Sequence, residues 1–251
     1  MNTLRVTLTC ALLSIGAFAV AGTPDLYDKA VANSARPAED LKRDAKDHPA
    51  EMLRLAGIKP GMRVADFMAA DGYYTELLSH LVGPTGHVLM LNNAAYDKWS
   101  DPGWKTRIAD KRLPNVEHKT VELDHMDLGA GTLDAVLMVK VYHDLYWVDD
   151  KGSWPKVNVP SVLDQVARAL KPGGVLLLVD HSAKAGTGSS AATPLHRIDE
   201  AHARKDFESR GLEVVAHSDA LRRADDKRDQ LSYEGPAVGK TDKFVLVFRK
   251  K

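Results

Sequence analysis

The chain has 251 residues, with 34 lysines and arginines, 34 aspartates and glutamates, ten histidines and one cysteine. Because the charges balance, the sequence offers no basic surface for nucleic acid, and a nucleic-acid partner is not expected. The length is sufficient for one α/β domain with its own hydrophobic core.

The first 21 residues have the features of a secretory signal peptide. Arg5 gives a positive start, residues 8–21 are mostly apolar, and Ala19-Val20-Ala21 supplies the small residues of a cleavage site. The apolar run is about 14 residues, short for a membrane span, so a membrane anchor or a lipid anchor on Cys10 is the weaker alternative. We therefore predict export to the periplasm, with no membrane span and no thiol in the mature chain.

Residues 22–57 are predicted to form a helical segment packed on the domain that follows, residues 58–251. Pro37 followed by two acids is typical of a helix start, because proline and acids favour the first turn. A second short helix is expected to end at Gly57. Apolar anchors favour packing over the alternative, a partly disordered arm, and these are Leu41, Met52, Leu53 and Leu55.

The stretch from Met62 to Ser79 predicts a strand, a tight turn and a helix in direct succession. The strand covers residues 63–67, the turn closes at Gly72, and the helix carries leucines on one side. Such a turn points backbone N–H groups and the positive end of the helix at a ligand above the sheet. In an open α/β sheet this is the position of a nucleotide-type site.

Further strands are predicted over residues 87–92, 116–123, 133–141, 175–179, 213–217 and 244–248. Helices are predicted over 159–170 and 194–210, with Lys-Pro-Gly-Gly at 171–174 ending the first. This alternation predicts one Rossmann-like domain, a doubly wound, mostly parallel seven-stranded sheet with helices on both faces. The small residues 186–193 fall between a strand and a helix and are a candidate lid over the active site.

Four motifs in these elements resemble those of the class I S-adenosylmethionine-dependent methyltransferases, at residues 64–72, 83–88, 133–137 and 169–178. The resemblance covers residues 50–250. It is strongest to a group of exported bacterial predicted methyltransferases, through residues 72–75, 142–145, 196–199 and 239–244. It implies the fold given above, S-adenosylmethionine as the cofactor and methyl transfer as the reaction.

By this resemblance, residues of the first strand and turn would contact the methionine part of the cofactor, namely Asp66, Ala70, Asp71, Gly72 and Tyr73. The family's motif is an acidic residue followed by glycines at alternate positions. Met68 and Ala70 stand where the first two glycines are expected. Glycine suits positive φ angles and a close approach of the backbone to a ligand. We therefore expect Met68 to place a flexible thioether in that space.

The same resemblance assigns the remaining cofactor contacts. Asn92 and Asn93 follow the second strand, where the family holds the ribose hydroxyls with an acid. An amide can still bond a hydroxyl, although less strongly than a carboxylate does. Asp124 and His125 follow the third strand, where the family contacts adenine. Ordinary turn chemistry is the alternative for all four residues.

Tyr142, His143 and Asp144 follow the fourth strand, at the edge where a doubly wound sheet binds ligands. His143 is a candidate base for an acceptor's proton, and Asp144 could orient it or hold the substrate. Alternatively, His143 caps a helix and Asp144 pairs with a neighbouring base. Tyr146 and Trp147 would form an aromatic wall for the acceptor, and Tyr142 is a further candidate contact.

His181 and His196 are expected at the same edge. His181 follows the fifth strand, and His196 with Arg197 begins the helix after the flexible stretch. Together with His143 they could form an acid–base site, an anion site that uses Arg197, or a metal site of histidine and carboxylate. The sequence has no local metal-binding spacing, so no metal ligand is predicted.

These observations favour an exported S-adenosylmethionine-dependent methyltransferase acting on a small-molecule acceptor. One alternative is a periplasmic binding module that keeps the fold and has lost the cofactor, because the glycine turn is altered. Another is an enzyme of a different class that uses the His/Asp cluster in the same cleft. Nothing in the sequence identifies the acceptor or an oligomeric state.

Overall fold

The computed structural model describes residues 25–149 and 152–251. The predicted signal peptide, residues 1–21, therefore lies outside the described residues. The described strands are β1 (Arg63–Phe67), β2 (His87–Asn92), β3 (Val116–Thr120), β4 (Leu133–Val139), β5 (Leu170–His181), β6 (Leu212–Ser218) and β7 (Lys243–Lys250). The described α-helices are α1 (Leu26–Val31), α2 (Ala38–Asp47), α3 (Pro49–Leu55), α4 (Tyr73–Val82), α5 (Ala94–Trp99), α6 (Gly103–Ile108), α7 (Val159–Ala169), α8 (Ala192–Leu195) and α9 (Glu200–Glu208).

The strands form one sheet in the order β3-β2-β1-β4-β5-β7-β6. The pairs from β3 through β5 are parallel, whereas β7 runs antiparallel to both β5 and β6. The predicted doubly wound, mostly parallel seven-stranded sheet is thus confirmed. The strand order reverses between β1 and β4, and such a switch point is where open α/β sheets bind ligands.

Most strand bounds lie within two residues of the prediction, although β3 ends at Thr120 rather than residue 123, and two larger differences concern β5 and a predicted helix. β5 begins at Leu170 rather than residue 175, because Leu170 pairs with Leu133 across a register shift and Lys-Pro-Gly-Gly lies within the strand. The helix predicted over residues 194–210 is two helices, α8 and α9. Both differences concern where an element begins or ends, and neither changes the topology.

Helices cover both faces of the sheet, since alternate strand residues point to opposite faces. Phe67 and Met138 belong to a core that also includes side chains of α7 and α9. Val64 and Leu137 belong to a second core, with side chains of α1, α3 and α4. Among the described residues, no helix combines the length and the apolar character needed to cross a bilayer.

Helix α2 lies beside the turn between β1 and α4. The Tyr73 hydroxyl donates to Asp44 at 2.6 Å, and the Arg43 guanidinium stacks 3.8 Å from the centre of the Tyr73 ring. Tyr73 is almost fully buried, so these contacts fix α2 against the start of α4. The N-terminal segment thereby forms a wall above the carboxyl edge of the sheet.

Gly72 is the one position in the turn that sterically demands glycine. Its φ is +85°, and an added Cβ would lie 2.8 Å from Arg107 Cδ and 2.9 Å from Met90 Cε. Arg107 cannot move aside easily, because buried carboxylates of Asp40 and Glu76 hold its guanidinium. Gly57 also has a positive φ, of +66°, but nothing lies within 4 Å of its added Cβ.

We expect Gly72→Ala to destabilise the protein more than Gly57→Ala. The Gly57 variant should lose about 1–2 kcal/mol of unfolding free energy, the cost of a left-handed backbone for a residue with a Cβ. The Gly72 variant should lose a further ~1–3 kcal/mol from overpacking against Arg107 and Met90. Urea unfolding of both variants measures the difference. Equal losses of unfolding free energy in the two variants would show that the side chains around Gly72 move aside at no energetic cost.

Candidate functional site

The carboxyl edge of the sheet carries two connected cavities at the switch point. The first, of about 510 Å³, is bordered by Met68 to Asp71 and is called the turn cavity. The second, of about 790 Å³, is lined by His143 and His196 and is called the histidine cavity. The cavities are continuous because they share the side chains of Tyr96, Trp99, Lys140, His181 and Tyr233. Both volumes suit small-molecule ligands.

The turn keeps the backbone of a glycine motif although two of the expected glycines are absent. Met68 has a φ of 51°, Ala70 of 54° and Gly72 of 85°. A left-handed φ costs a residue with a Cβ about 1–2 kcal/mol. The Met68 side chain is 2% exposed and belongs to the hydrophobic core, while its residue still borders the turn cavity. The expected obstruction by the Met68 thioether is therefore reduced, because the core takes up this side chain.

Asn92 holds this strained turn in place. Its amide accepts from the Ala70 N–H at 2.9 Å and donates to the Ala70 carbonyl at 3.0 Å. The same amide donates to Asp97 at 2.9 Å. Asn93 caps α5 by accepting from the Tyr96 N–H. Neither asparagine lines the turn cavity or the histidine cavity, and the ribose contact that the family resemblance implied stays a prediction.

Of the five cofactor candidates in residues 66–73, Gly72 does not line the turn cavity; the other four do, and these are Asp66, Ala70, Asp71 and Tyr73. Asp66 is buried and accepts from the Thr75 hydroxyl at 2.6 Å. Burial raises the pKa of the Asp66 carboxyl to about 7, against the opposing effect of the Thr75 hydrogen bond. The Asp71 carboxylate is half-exposed and lies 3.4 Å from the Arg107 guanidinium, which offsets its negative charge.

Arg107 was not singled out in the sequence, yet it joins the elements around the turn. Its guanidinium lies 2.7 Å from Asp40 of α2 and 2.7 Å from Glu76 of α4, and it donates to the Asp71 carbonyl at 2.5 Å. All three charged side chains of this ion-pair cluster are nearly inaccessible to solvent. An arginine in a polar helix carries no local sign of burial, so only the tertiary structure reveals it.

The residues after β3 lie away from both cavities. The Asp124 carboxylate accepts from the Asn158 N–H at 3.1 Å, beside the start of α7. His125 is exposed. Neither residue lines the turn cavity or the histidine cavity, so the structure does not place them for the adenine contact that the family resemblance implied. Turn chemistry, the alternative given from the sequence, describes Asp124 here.

Two predicted acceptor contacts turn away from the histidine cavity. Tyr142 and Tyr146 both donate to Asp206 of α9, on the other side of the loop. Arg197 is fully buried, with its guanidinium 2.7 Å from Asp226 and hydrogen-bonded to the Ser182 carbonyl at 3.1 Å. These three residues therefore brace loops. Sequence position brought them to the correct edge but could not give the direction of their side chains.

Trp147 does line the histidine cavity, together with residues that the sequence did not single out. Its ring centre lies 5.1 Å from that of His196 and 5.9 Å from that of Trp154. Tyr96 and Tyr233 complete an aromatic wall, and the Tyr233 ring lies 4.6 Å from the His196 ring. In the sequence, the only feature that could have indicated Tyr96, Trp154 and Tyr233 as cavity residues is that they are aromatic residues in predicted loops.

The structure brings the three predicted histidines together. The His143 ring lies 5.3 Å from the His196 ring and 5.8 Å from the His181 ring. His143 is buried between two carboxylates, with Nδ1 2.6 Å from Asp180 and Nε2 3.2 Å from Asp144. Burial alone would lower the pKa of His143, but Asp144 and Asp180 raise it well above its ordinary range. Both ring nitrogens of His143 are thus engaged by carboxylates that favour its charged form, which argues against its expected role as the base.

His196 is the histidine whose geometry suits proton transfer. Its Nδ1 lies 3.2 Å from Asp144 Oδ1, and among the described residues no partner engages its Nε2. Asp144 is held in turn by the Tyr96 hydroxyl, which donates to Oδ2 at 2.5 Å. A histidine held at one nitrogen by a carboxylate presents the other nitrogen as a proton acceptor. His196 and Asp144 thus form an oriented pair on the wall of the histidine cavity.

His181 stands where the two cavities meet. Its Nδ1 lies 2.8 Å from the Thr241 hydroxyl. Burial lowers the pKa of His181 well below its ordinary value, and the charge of His143 lowers it further. His181 is therefore a neutral imidazole, suited to hydrogen bonding with a ligand rather than to carrying charge.

The cluster also has the composition of a metal site. Ligand atoms of His143, Asp144 and His196 lie within 4.8 Å of one another and open onto the histidine cavity. Two histidines and a carboxylate are ligands that zinc and iron accept. In the described chain, Asp144 lies 3.2 Å from both histidines, and Asp180 lies 2.6 Å from the other ring nitrogen of His143.

Comparison with known sequences gives partial matches. No protein-family model matches the sequence. The ubiquinone/menaquinone biosynthesis C-methyltransferase UbiE of Pseudomonas fluorescens is 28% identical over 133 residues, 52% of this chain and 46% of the relative. UbiE of Shewanella frigidimarina is 26% identical over 170 residues, 67% of this chain and 57% of the relative. The chain thus spans about half the length of the curated relatives it matches.

Comparison with solved structures gives the fold. A SAM-dependent methyltransferase from Aquifex aeolicus matches with a TM-score of 0.60 and 21% identity, covering 86% of this chain and 99% of its own. CrArsM, an arsenic(III) S-adenosylmethionine methyltransferase from Chlamydomonas reinhardtii, matches with a TM-score of 0.53 and 17% identity, covering 86% of this chain and 75% of its own. The cyclase SpnF matches with a TM-score of 0.59 and 13% identity, covering 87% of this chain and 85% of its own. The chain has the methyltransferase Rossmann-like fold, and the sequence matches support the class I S-adenosylmethionine-dependent superfamily.

The raised pKa of Asp66 makes a testable contribution to stability. The folded protein binds the Asp66 proton more tightly than the unfolded chain, so ionisation costs stability as the pH rises from about 4 to about 7. Asp66→Asn keeps an acceptor for Thr75 and does not titrate. We expect the variant to gain on the order of 2 kcal/mol of unfolding free energy over wild type between about pH 5 and about pH 8.

Urea unfolding at several pH values measures this gain. Asp219→Asn, an exposed substitution at the far side of the sheet, is the control and should follow wild type. A constant difference between Asp66→Asn and wild type across the pH range would contradict the assignment.

Proposed function

We propose that this chain is an exported S-adenosylmethionine-dependent methyltransferase that acts on a small molecule. One observation carries the proposal. The glycine-like backbone at Met68, Ala70 and Gly72 opens into a cavity that continues into a second cavity lined by acid–base side chains. The UbiE relatives are C-methyltransferases by name, and their overlap with this chain supports the same class of reaction.

The turn cavity fits the chemical groups of the cofactor. Arg43 borders it and offers a cation to the carboxylate of the methionine part, and buried Asp66 offers an acceptor to the ammonium. The rings of Tyr96, Trp99 and Tyr233 stand where the cavities join, and aromatic faces attract a cation such as a sulfonium. S-adenosylmethionine supplies an electrophilic methyl group when bound.

The histidine cavity would hold the acceptor. Its aromatic wall, formed by Tyr96, Trp147 and Trp154, can fix the orientation of a flat small molecule, and alignment of two reactants is itself a large part of catalysis. His196 Nε2 takes the acceptor's proton, and Asp144 stabilises the imidazolium that forms. His143 acts as a positioning residue, because its Nε2 lies 3.2 Å from Asp144 Oδ1 and helps to hold that carboxylate beside His196.

Export rests on the N-terminal sequence, with Arg5, the apolar residues 8–21 and Ala19-Val20-Ala21. The mature chain lacks cysteine, which suits an oxidising compartment such as the periplasm. Detection of a processed chain that starts at Gly22 in a periplasmic fraction would support this part of the proposal. An unprocessed chain in the cytoplasm would overturn it.

Calorimetry tests the cofactor site directly. We expect wild type to bind both S-adenosylmethionine and S-adenosylhomocysteine. Trp99→Ala should weaken the first ligand by roughly two- to fivefold, because a sulfonium loses a cation–π contact, and should affect the uncharged thioether less. Trp99→Phe, which keeps an aromatic face, is the matched control. Trp99 is 73% exposed, so both variants should fold.

Absence of heat with either ligand at millimolar concentration would overturn methyl transfer. The cofactor-free binding module or an enzyme of another class would then be left. Metal analysis of the purified protein separates those two outcomes, because the cluster of His143, Asp144 and His196 is the described metal candidate.

Removal of the proposed base should separate turnover from cofactor binding. His196→Ala should lower turnover by about 10²–10⁴-fold, the usual contribution of a positioned base. Its affinity for S-adenosylhomocysteine should stay within about twofold of wild type, because His196 does not line the turn cavity.

The assay follows labelled methyl from S-adenosylmethionine to a panel of phenols, amines and carboxylates. His217→Ala, on the exposed side of β6, is the control. Unchanged turnover in His196→Ala would exclude His196 as the base.

A further inference from the structure

A third cavity, of about 280 Å³, adjoins the other two and is unusually basic. Besides His181, Ser232, Gly239 and Thr241, its lining consists of Arg43, Lys46, Asp47, Lys140 and Lys243. We call this cavity the basic annex. It shares Lys140 and His181 with both other cavities, so a ligand in the histidine cavity can reach into it.

The positive charge of the annex exceeds its negative charge. Asp47 is its one carboxylate, lying 2.6 Å from Arg43 and 2.9 Å from Lys140. Burial would raise the pKa of Asp47, but Lys140 and Arg43 lower it to about 2, so the carboxylate is ionised. Four basic side chains therefore face a single negative charge.

Lys243 is a buried lysine of the annex that forms no ion pair with any described residue. It is 7% exposed, and its ammonium donates to the Thr241 carbonyl at 3.2 Å. Among the described residues, no carboxylate lies within 4.0 Å of its Nζ. Burial, together with the charge of Lys140, lowers the pKa of Lys243 to about 8, although Asp47 and Asp242 act in the opposite direction. A buried ammonium without a counterion is costly, and such groups are concentrated at ligand sites.

Lys243 lies on the acceptor side of the sheet edge, whereas Arg43 of the annex also borders the turn cavity, where it would meet the cofactor. Lys243 begins β7, which is separated from β1 by β4 and β5, and neighbouring strands lie about 4.8 Å apart. Lys243 is thus roughly 14 Å from the β1 strand that leads into the turn. It pairs directly with His181 in the β5–β7 ladder, at the point where the annex meets the histidine cavity.

The geometry points to the basic annex as the binding site for an anionic group of the methyl acceptor, a carboxylate or a phosphate. This inference deepens the proposed methyl transfer and rests on it. It identifies the acceptor class as an anionic small molecule, with its reacting atom beside His196 and its charged end between Lys140 and Lys243. Thr241 fixes His181 between these two regions.

Calorimetry with inorganic phosphate and with acetate tests the annex without knowledge of the acceptor. Wild type should bind at least one of the two anions. Lys243→Met should weaken that binding at least about tenfold, since it removes a charge-assisted hydrogen bond, and Lys243→Arg should retain it within about threefold. Lys250→Met, at the opposite end of β7, is the matched control and should bind like wild type. Lys243→Met should fold at least as well as wild type, because it removes a buried charge.

A second arm separates acceptor from cofactor. Repeating the titrations with saturating S-adenosylhomocysteine should leave the anion affinity unchanged within about twofold. Competition between the anion and S-adenosylhomocysteine would assign the annex to the cofactor's carboxylate and overturn the inference. Absence of anion binding, or equal affinity in Lys243→Met, would overturn it as well. If S-adenosylhomocysteine fails to bind while the anion still binds through Lys243, methyl transfer and the acceptor assignment are overturned, and the anion site itself stands.

Discussion

The amide of Asn92 bonds to both backbone groups of Ala70, and the site depends on this contact. It holds a left-handed alanine at the end of β1 without the conformational ease of glycine. With the turn fixed, α4 starts at the correct angle and Arg107 can reach the Asp71 carbonyl. The family's acid at this strand end serves a ligand, whereas the amide here serves the backbone.

The fold and the location of the site could be predicted because both follow from short-range rules. Hydrophobic runs bounded by turn residues gave the bounds of β1 and β2, and alternation of strands and helices gave the sheet. His143 and His181 follow strands that lie side by side, so their meeting at one edge was predictable. The position of Ala70 in the turn between β1 and α4 was likewise predictable from the succession of strand, turn and helix.

The identity of each side chain's partner could not be predicted, because it depends on elements far apart in the chain. Tyr142 follows β4 yet bonds to Asp206 of α9, and Arg197 is buried beside Asp226. The surroundings of His143 could not be predicted for the same reason, since Asp180 on β5 occupies one nitrogen of its imidazole. Charge and hydrogen-bonding partners in tertiary structure decide which of several plausible side chains is available to a ligand.

The basic annex joins α2, near one end of the described chain, to the start of β7, near the other. During synthesis α2 leaves the ribosome long before β7. The annex is therefore incomplete until β7, the last described strand, has formed. Contacts between α2 and β7 form slowly, because the chain loses conformational entropy when it closes a loop of about 200 residues. The annex as a cavity therefore exists only once α2 and β7 have come together.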